Sequence, residues 1–170
     1  MEFRRAVPSD LPGIMDVIHQ AQAFIAGLGI DQWQDGYPEE SLLAADIRAG
    51  QAYVFDDCGV IASVAVLTAA PEPIYDAIDG AWHTGAPYLT IHRMAIGDSY
   101  RHTGLADGIL KNAIAMARNA ALSAIRADTH RGNRVMRRFL EKSGFSECGL
   151  VVYETAAGDP LRVAYDLPIK

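Results

Sequence analysis

The feature that most constrains the fold is a strand-to-helix junction in the second half of the chain. The apolar, β-rich run from Leu89 to Ile96 leads within a few residues into a helical pattern that begins near Leu105 and continues to about Ala120. Apolar residues recur three or four positions apart in this pattern, which predicts a helix with one buried face. Strands that alternate with such helices are typical of layered α/β folds.

The rest of the sequence supplies further strands and helices for such a fold. β-rich runs are predicted at 3–7, 52–55, 60–67, 124–128, 145–152 and 162–167, and helical spacing at 9–27, 39–48 and 133–143. The predicted order is β-α-α-β-β-β-α-β-α-β-β, with a turn at 155–160. The segment 68–87 contains three prolines and two glycines. A loop of this length is uncommon unless it is functional, so we expect a candidate lid with one helical turn near 74–78.

Length and composition predict one soluble domain over residues 1–170. A chain of 170 residues, 50% of them hydrophobic, can bury a core without disulfides or metal. No apolar run approaches the ~18 residues of a membrane span, and the charged N-terminus does not resemble a secretory signal. The two cysteines, Cys58 and Cys148, form no C-x-x-C motif. We therefore expect a cytoplasmic protein without a metal site.

Charge is distributed unevenly along the chain. Residues 101–142 carry nine basic side chains against three acidic ones, whereas residues 31–79 carry ten carboxylates and one arginine. The first segment suits a polyanion and the second suits a cation, and solvated faces of the domain are the alternative for both. The formal net charge of -6 argues against nucleic acid as a partner, since domains that bind it are usually strongly basic.

Within the junction, the pattern Arg101-x-x-Gly104-x-Ala106 has the chemistry of an anion site. Glycine and alanine allow a ligand close to the backbone, and the free amides at the start of a helix favour negative charge. A pyrophosphate fits this description, and a plain turn glycine is the alternative. The sequence has neither a G-x-x-x-x-G-K-[ST] phosphate loop nor the glycine triplet of a dinucleotide fold.

Two segments together resemble a known family. Residues 89–106 resemble motif A of the GNAT N-acetyltransferase superfamily, R/Q-x-x-G-x-G/A after an apolar strand. Residues 133–145 resemble its motif B, an Asn followed by a helix that ends in E-K-x-G-F. The resemblance implies the GNAT fold, in which helices flank a mixed, mostly antiparallel twisted sheet. It also implies transfer of the acetyl group of acetyl-CoA to an amine by direct attack in a ternary complex.

The resemblance further implies a coenzyme A site and no metal. The backbone amides of 102–106 would bind the pyrophosphate. The preceding strand would diverge from its parallel neighbour and bind the pantetheine arm through its main chain at 94–96, and Asn133 would hydrogen-bond the pantetheine. The implied residues are Met94, Ala95, Ile96, Arg101, His102, Thr103, Gly104, Leu105, Ala106 and Asn133. The phosphates of coenzyme A match the basic segment 101–142 in charge.

His92 is the candidate general base. Acetyl transfer needs a neutral amine, and imidazole titrates near neutrality. Some members of the family, the arylalkylamine N-acetyltransferases among them, have a catalytic His at this place in the strand. Strand alternation predicts that 90, 92, 94 and 96 share one face. A structural His bonded to a backbone carbonyl is the alternative.

The sequence departs from the family at the position where the general acid is usually found. The Tyr that often protonates the leaving thiolate is replaced by Leu140. Tyr100, Cys148 and Tyr153 are open as substitutes. The departure also leaves open a different class of function, a non-catalytic acyl-CoA-binding or sensor domain on the same fold.

The acceptor amine is expected between two loops, 31–39 and 68–87. Both supply aromatic rings and the first supplies carboxylates, which attract a cationic amine. The residues implied are Asp31, Trp33, Asp35, Tyr37 and Trp82. Packing of Trp33 in the core beside solvated acids is the alternative. The acceptor is a small molecule or a peptide, neither nucleic acid nor membrane is expected as a partner, and a homodimer is left open.

Overall fold

The computed structural model describes residues 1–154 and 158–170, so the turn predicted at 155–160 lies partly outside the described residues. Within them the chain forms eight strands and four α-helices. The strands are β1 (Glu2–Arg5), β2 (Ala52–Asp57), β3 (Val60–Thr68), β4 (Asp79–Gly80), β5 (Tyr88–Ile96), β6 (Ala124–His130), β7 (Ser146–Val152) and β8 (Leu161–Pro168). The helices are α1 (Leu11–Gly27), α2 (Glu40–Arg48), α3 (Leu105–Asn119) and α4 (Arg134–Lys142).

The strands form one sheet in the order β1-β2-β3-β5-β6-β8-β7-β4. Among the described strands, β5 and β6 are the parallel pair and the other neighbours are antiparallel. The predicted mixed, mostly antiparallel sheet is therefore confirmed. β5 pairs with β6 only from Tyr88 to Thr90, although both strands continue beyond that point. The two strands diverge there and open a cleft in the middle of the sheet.

Helices cover both faces of the sheet. Alternate residues of β3 point to opposite sides, so the strand contacts helices on both faces. Val64 and Val66 pack with residues of α1 and α2, such as Ile14. Ala65 and Leu67 pack with residues of α3 and α4 in a second cluster. The helical spacing that predicts α1 and α3 is thus confirmed by burial of the apolar face of each helix.

The segment expected as a loop and candidate lid is anchored to the sheet. It contains a 3-10 turn at Pro73–Ala77, close to the predicted helical turn, and the short strand β4, which pairs with β7. The side chain of Tyr75 is 1% exposed and belongs to a third apolar cluster with Val151 and Ala164. Among the described residues, no helix has both the length and the apolar character needed to cross a membrane.

Candidate active site

The divergence of β5 from β6 opens a cleft of about 980 Å³. One edge of β5 is occupied by β3 up to Ile96, but its pairing with β6 ends at Thr90. On the other edge, the main-chain groups of residues 91–96 therefore face the cleft without a partner strand in the described part of the chain. Of the predicted cofactor residues, those that line the cleft are Met94, Ala95, Ile96, Arg101, His102, Gly104, Leu105, Ala106 and Asn133.

One end of the cleft is the amino end of α3. His102 and Gly104 have positive φ angles of 64° and 86°, so the chain turns sharply before the helix. Gly108 is the first residue whose amide bonds back, to the carbonyl of Gly104, which leaves the amides of the preceding turn without an intrahelical acceptor. A Cβ built on Gly104 meets no atom within 4 Å. This end of the cleft can therefore bring several amides close to an anion.

Two residues at this end that are predicted to bind the cofactor have side chains that bond to other parts of the protein. The Arg101 guanidinium lies 3.9 Å from the centroid of the Phe24 ring and pairs with Asp98. The Thr103 hydroxyl donates to the carbonyl of Tyr100 at 2.6 Å, and Thr103 does not line the cleft in the described part of the chain. Arg101 can still add positive potential near the anion, whereas Thr103 contributes turn geometry.

Asn133 caps α4 at the edge of the cleft. Its Oδ1 accepts from the amide of Met136 at 3.1 Å, which satisfies one of the free donors of the helix. Its Nδ2 donates to Oε1 of Gln32 at 3.3 Å. The Nδ2 group is therefore the part of Asn133 that a ligand in the cleft could engage, by replacing Gln32.

A β-bulge in β5 changes which side chains share a face. Val64 pairs with Ala95 and Val66 pairs with His92, so β5 has one more residue than β3 in this interval. Arg93 lies in this bulge and has a positive φ of 49°. His92 consequently lies on the Val66 face, whereas Met94 packs into the cluster on the other face. The predicted alternation of 90, 92, 94 and 96 is wrong at the bulge, although His92 and Met94 both line the cleft.

His92 is held by a carboxylate from the anchored segment. Its Nε2 lies 3.2 Å from Oε2 of Glu72, and the His92 side chain is 11% exposed. The hydrogen bond from His92 lowers the pKa of Glu72, against the effect of burial. Glu72 is therefore ionised at neutral pH. The sequence does not show this partner, since no local pattern indicates that residue 72 approaches residue 92.

A buried carboxylate, Asp128, also lines the cleft and was missed. Its Oδ2 accepts from the hydroxyl of Tyr75 at 2.8 Å and from that of Tyr153 at 3.0 Å. Burial raises the pKa of Asp128, and His92 opposes this shift by Coulombic attraction. Burial and the neighbouring carboxylate raise the pKa of Tyr153 far above its ordinary value. The centre of the cleft thus combines an imidazole, a carboxyl group and a phenol within electrostatic reach of one another.

The structure narrows the choice of a substitute for the missing general acid. Leu140 is fully buried in the core beneath α4, and its neighbour Phe139 lines the cleft. Tyr100 and Tyr153 also line the cleft. Cys148, on β7, does not line the cleft in the described part of the chain. Its thiol lies beside His83 instead.

Four of the five predicted acceptor residues line the cleft: Asp31, Trp33, Asp35 and Tyr37. Trp33 also packs against the core formed with α1 and α2, as the alternative expects, and its role in acceptor binding stays a prediction. Trp82 lies elsewhere, which corrects the prediction. Its Nε1 donates to the carbonyl of Tyr75, and its ring lies 4.0 Å from the Arg126 guanidinium. These contacts hold the ring in the third apolar cluster.

Comparison with known proteins agrees with this architecture. The family model described as Acetyltransferase (GNAT) family matches residues 18–145. A GNAT-family acetyltransferase from Streptococcus agalactiae is similar at 38% identity and a TM-score of 0.86, with 99% of this chain and 95% of that chain covered. No protein with a curated description is detectably similar.

More distant solved structures share the fold. An N-acetyltransferase PaiA from Thermoplasma acidophilum, solved in complex with coenzyme A, is 17% identical with a TM-score of 0.70, and 98% of each chain is covered. A ribosomal-protein-S18-alanine N-acetyltransferase from Escherichia coli is 16% identical with a TM-score of 0.66, with 99% of this chain and 93% of that chain covered. On the family match and the 38% identity, the chain belongs to the GNAT acetyltransferase family.

Proposed function

We propose that the protein is an N-acetyltransferase that transfers the acetyl group of acetyl-CoA to an amine by direct attack in a ternary complex. The observation that carries this proposal is the position of His92. It lies in the same cleft as the amino end of α3, held by the ionised carboxylate of Glu72. One cleft therefore offers a site for an anion and a base for an amine.

The cleft fits acetyl-CoA as a substrate. The free amides before Gly108 would bind the pyrophosphate, because unpaired amides and the helix dipole both favour negative charge. The open edge of β5 from 91 to 96 would bind the amide groups of the pantetheine arm as an added strand would. The Nδ2 group of Asn133 is placed to bind the arm from the α4 side. This arrangement directs the thioester toward the middle of the cleft, where His92 lies.

His92 would act as the general base. If Nε2 donates its proton to the ionised Glu72, the basic lone pair is on Nδ1. The amine nitrogen attacks the thioester carbonyl carbon, and the carbon–sulfur bond breaks as the carbon–nitrogen bond forms. The proton of the amine passes to His92, directly or through a water molecule. The thiolate of coenzyme A leaves and takes up a proton from solvent, because the Tyr153 hydroxyl donates to Asp128 and its raised pKa makes it a poor acid.

We further propose that the acceptor is a cationic amine. The cleft is lined by the carboxylates of Asp31, Asp35 and Asp128. The cations Arg93, Arg101, Lys142 and Arg162 also line the cleft. Two of them are compensated: the Arg93 guanidinium lies 2.8 Å from Asp46 and donates to the Tyr37 hydroxyl at 2.9 Å, and Arg101 pairs with Asp98. An excess of negative charge therefore faces the acceptor side, which would attract a protonated amine before it loses its proton to the base.

Release of free thiol from acetyl-CoA, measured with a panel of amines, tests the proposal. An active amine should also be recovered with one added acetyl group, and His92→Gln should suppress the reaction. The second candidate, an acyl-CoA-binding domain without turnover, is favoured by one observation: Leu140 offers no acidic proton where the family often has Tyr. Tight binding of acetyl-CoA with no thiol release from any amine would support that candidate instead.

A further inference from the structure

Three chemically reactive side chains meet outside the cleft. His83 comes from the segment before β5, Cys148 from β7 and Asp166 from β8, and none of them lines the cleft in the described chain. A close crossing of two backbones brings them together. A Cβ on Gly80 would lie 2.2 Å from the carbonyl oxygen of Cys148, so only glycine fits there. The amide of Ala81 then donates to the same carbonyl at 2.9 Å, and the chain continues to His83.

The three donor atoms converge on one point. Sγ of Cys148 lies 3.3 Å from Nδ1 of His83, and this nitrogen lies 3.0 Å from Oδ1 of Asp166. All three atoms lie within 4.8 Å of one another. Around a tetrahedral Zn²⁺ with ordinary bond lengths, such donors are about 3.3–3.6 Å apart. The two distances from Nδ1 of His83 lie within a few tenths of an ångström of that range, and the distance between Cys148 and Asp166 is within 4.8 Å.

A catalytic Cys-His-Asp relay does not describe this cluster. Such a relay places the thiol on one imidazole nitrogen and the carboxylate on the other. Here both lie beside Nδ1 of His83, which has one site for a proton or a lone pair and cannot bond to both in the same state. Burial also raises the pKa of Cys148 to about 11, whereas a nucleophilic thiol needs a lowered pKa.

The surroundings orient the donors as a metal site requires. Oδ2 of Asp166 accepts from the amides of His83 and Thr84, at 2.9 and 3.0 Å, and from the Thr84 hydroxyl at 2.9 Å. These bonds fix the carboxylate and leave Oδ1 directed at the cluster. Cys148 lies in a β-bulge of β7, a feature that redirects a side chain out of the regular alternation. Arg126 completes the outer layer by donating to the carbonyl of Thr84.

We propose that His83, Cys148 and Asp166 bind a divalent transition-metal ion, with Zn²⁺ as the ion that this nitrogen, sulfur and oxygen donor set favours. The His83 side chain is 52% exposed, so water completes the fourth position. On binding, the Cys148 thiol loses its proton to solvent and becomes a thiolate ligand. The ion would tie the segment before β5 to β7 and β8. The site is separate from the proposed acetyl transfer and does not depend on it.

Metal binding by the full-length, tag-free protein tests the proposal. The protein is stripped with a chelator and dialysed against Zn²⁺, and bound zinc is measured by elemental analysis. Co²⁺ is added in a parallel sample to detect the near-ultraviolet absorption of a thiolate–cobalt bond. We expect one ion per chain and that absorption. Cys148→Ala and His83→Ala should each lose both signals, whereas Cys58→Ala, which removes the exposed cysteine, should keep them.

Thermal unfolding separates a metal site from a hydrogen-bonded cluster. Zn²⁺ should raise the melting temperature of the wild type and of Cys58→Ala, but not that of Cys148→Ala or His83→Ala. His83→Ala removes a half-exposed side chain, so it provides a folded variant if Cys148→Ala does not fold. The proposal is overturned if the wild type binds no zinc, or if zinc binding and the melting shift are the same in the His83→Ala protein.

Discussion

Nε2 of His92 lies 3.2 Å from Oε2 of Glu72, although His92 lies on β5 and Glu72 in the segment that follows β3. The contact exists because the 3-10 turn that follows Glu72 is anchored through the buried ring of Tyr75. It holds one nitrogen of the imidazole, and in the proposed mechanism the other nitrogen is the base. The first two predictions follow from this pair.

Replacement of His92 by Gln should lower kcat/KM for acetyl transfer by roughly 10²–10⁴-fold, the usual contribution of a general base. Acetyl-CoA binding, measured by calorimetry, should change little, because His92 is not expected to contact the pyrophosphate or the pantetheine. The exposed His19 on α1 gives a matched control, since His19→Gln removes an imidazole that is not among the described residues lining the cleft. A pH–rate profile that is unchanged in His92→Gln would remove this residue from the role of base.

Glu72→Gln should have a smaller effect on kcat than His92→Gln, because Glu72 orients the imidazole without touching the substrate. The double variant should be no less active than His92→Gln alone, since the carboxylate acts only through the ring. Steady-state kinetics on the four proteins measure this coupling. Independent, multiplying losses from the two substitutions would show that Glu72 has a role apart from His92.

Gly104→Glu should weaken acetyl-CoA binding by about tenfold or more, equivalent to ~1.4 kcal/mol. The new side chain would project into the open space before α3, where the phosphates are expected. Gly59→Glu is a matched control, because Gly59 also has a positive φ and open space around its Cβ position. Both variants bear similar backbone strain, so calorimetry should show a binding defect for Gly104→Glu alone. Equal affinity in the two variants would place the pyrophosphate elsewhere.

Asp35→Asn should raise KM for a cationic amine a few-fold, since a partly exposed charge pair contributes about 1 kcal/mol or less. The increase should be larger at low salt than at high salt, and KM for acetyl-CoA should be unaffected. Asp31→Asn should act similarly but also cost stability, because Asp31 accepts from the amide of Asp159 at 2.8 Å. Asp76→Asn, at an exposed position outside the cleft, controls for net charge. An unbiased screen that finds a neutral or anionic best substrate would contradict the idea.

Local patterns predict the parts of this molecule that depend on near neighbours. The spacing of Ile109, Leu110 and Ala113 predicts the buried face of α3, and the glycine in the 101–106 pattern predicts the turn before that helix. The divergence of β5 from β6 is expected from the family resemblance and is confirmed. Burial of Leu140, rather than exposure to the cleft, depends on how α4 packs and is not visible in the motif.

Contacts between distant segments are the parts that the sequence does not show. The bulge at Arg93 arises from the register against β3, and it reverses the face on which His92 lies. Trp82 is an aromatic residue in a loop that we expect to contact the acceptor. It packs instead in the third apolar cluster, against Tyr75 and Arg126. A search for metal-binding residues close together in the sequence likewise misses the cluster of His83, Cys148 and Asp166, because they come from three separate segments.

The final prediction concerns His130, which links the acceptor loop to the segment before β8. Its Nε2 lies 3.2 Å from Asp31 and 3.5 Å from Asp159, and its Nδ1 accepts from the amide of Gly132 at 3.0 Å. Burial and the positive charge of Arg162 lower the pKa of His130, and the two aspartates offset part of this shift. The folded protein therefore holds His130 in the neutral form more strongly than the unfolded chain does.

The sign of the pH effect follows from this difference. Below the unfolded pKa of about 6.5 the unfolded chain binds a proton at this residue more readily, so stability falls as pH falls until the folded pKa is passed. His130→Asn keeps an acceptor for the Gly132 amide but does not titrate, so its unfolding free energy should depend less on pH between about 7.5 and 5.5. Chemical denaturation of the two proteins at several pH values measures this slope. An equal slope in the wild type and in His130→Asn would show that His130 is not the group that titrates.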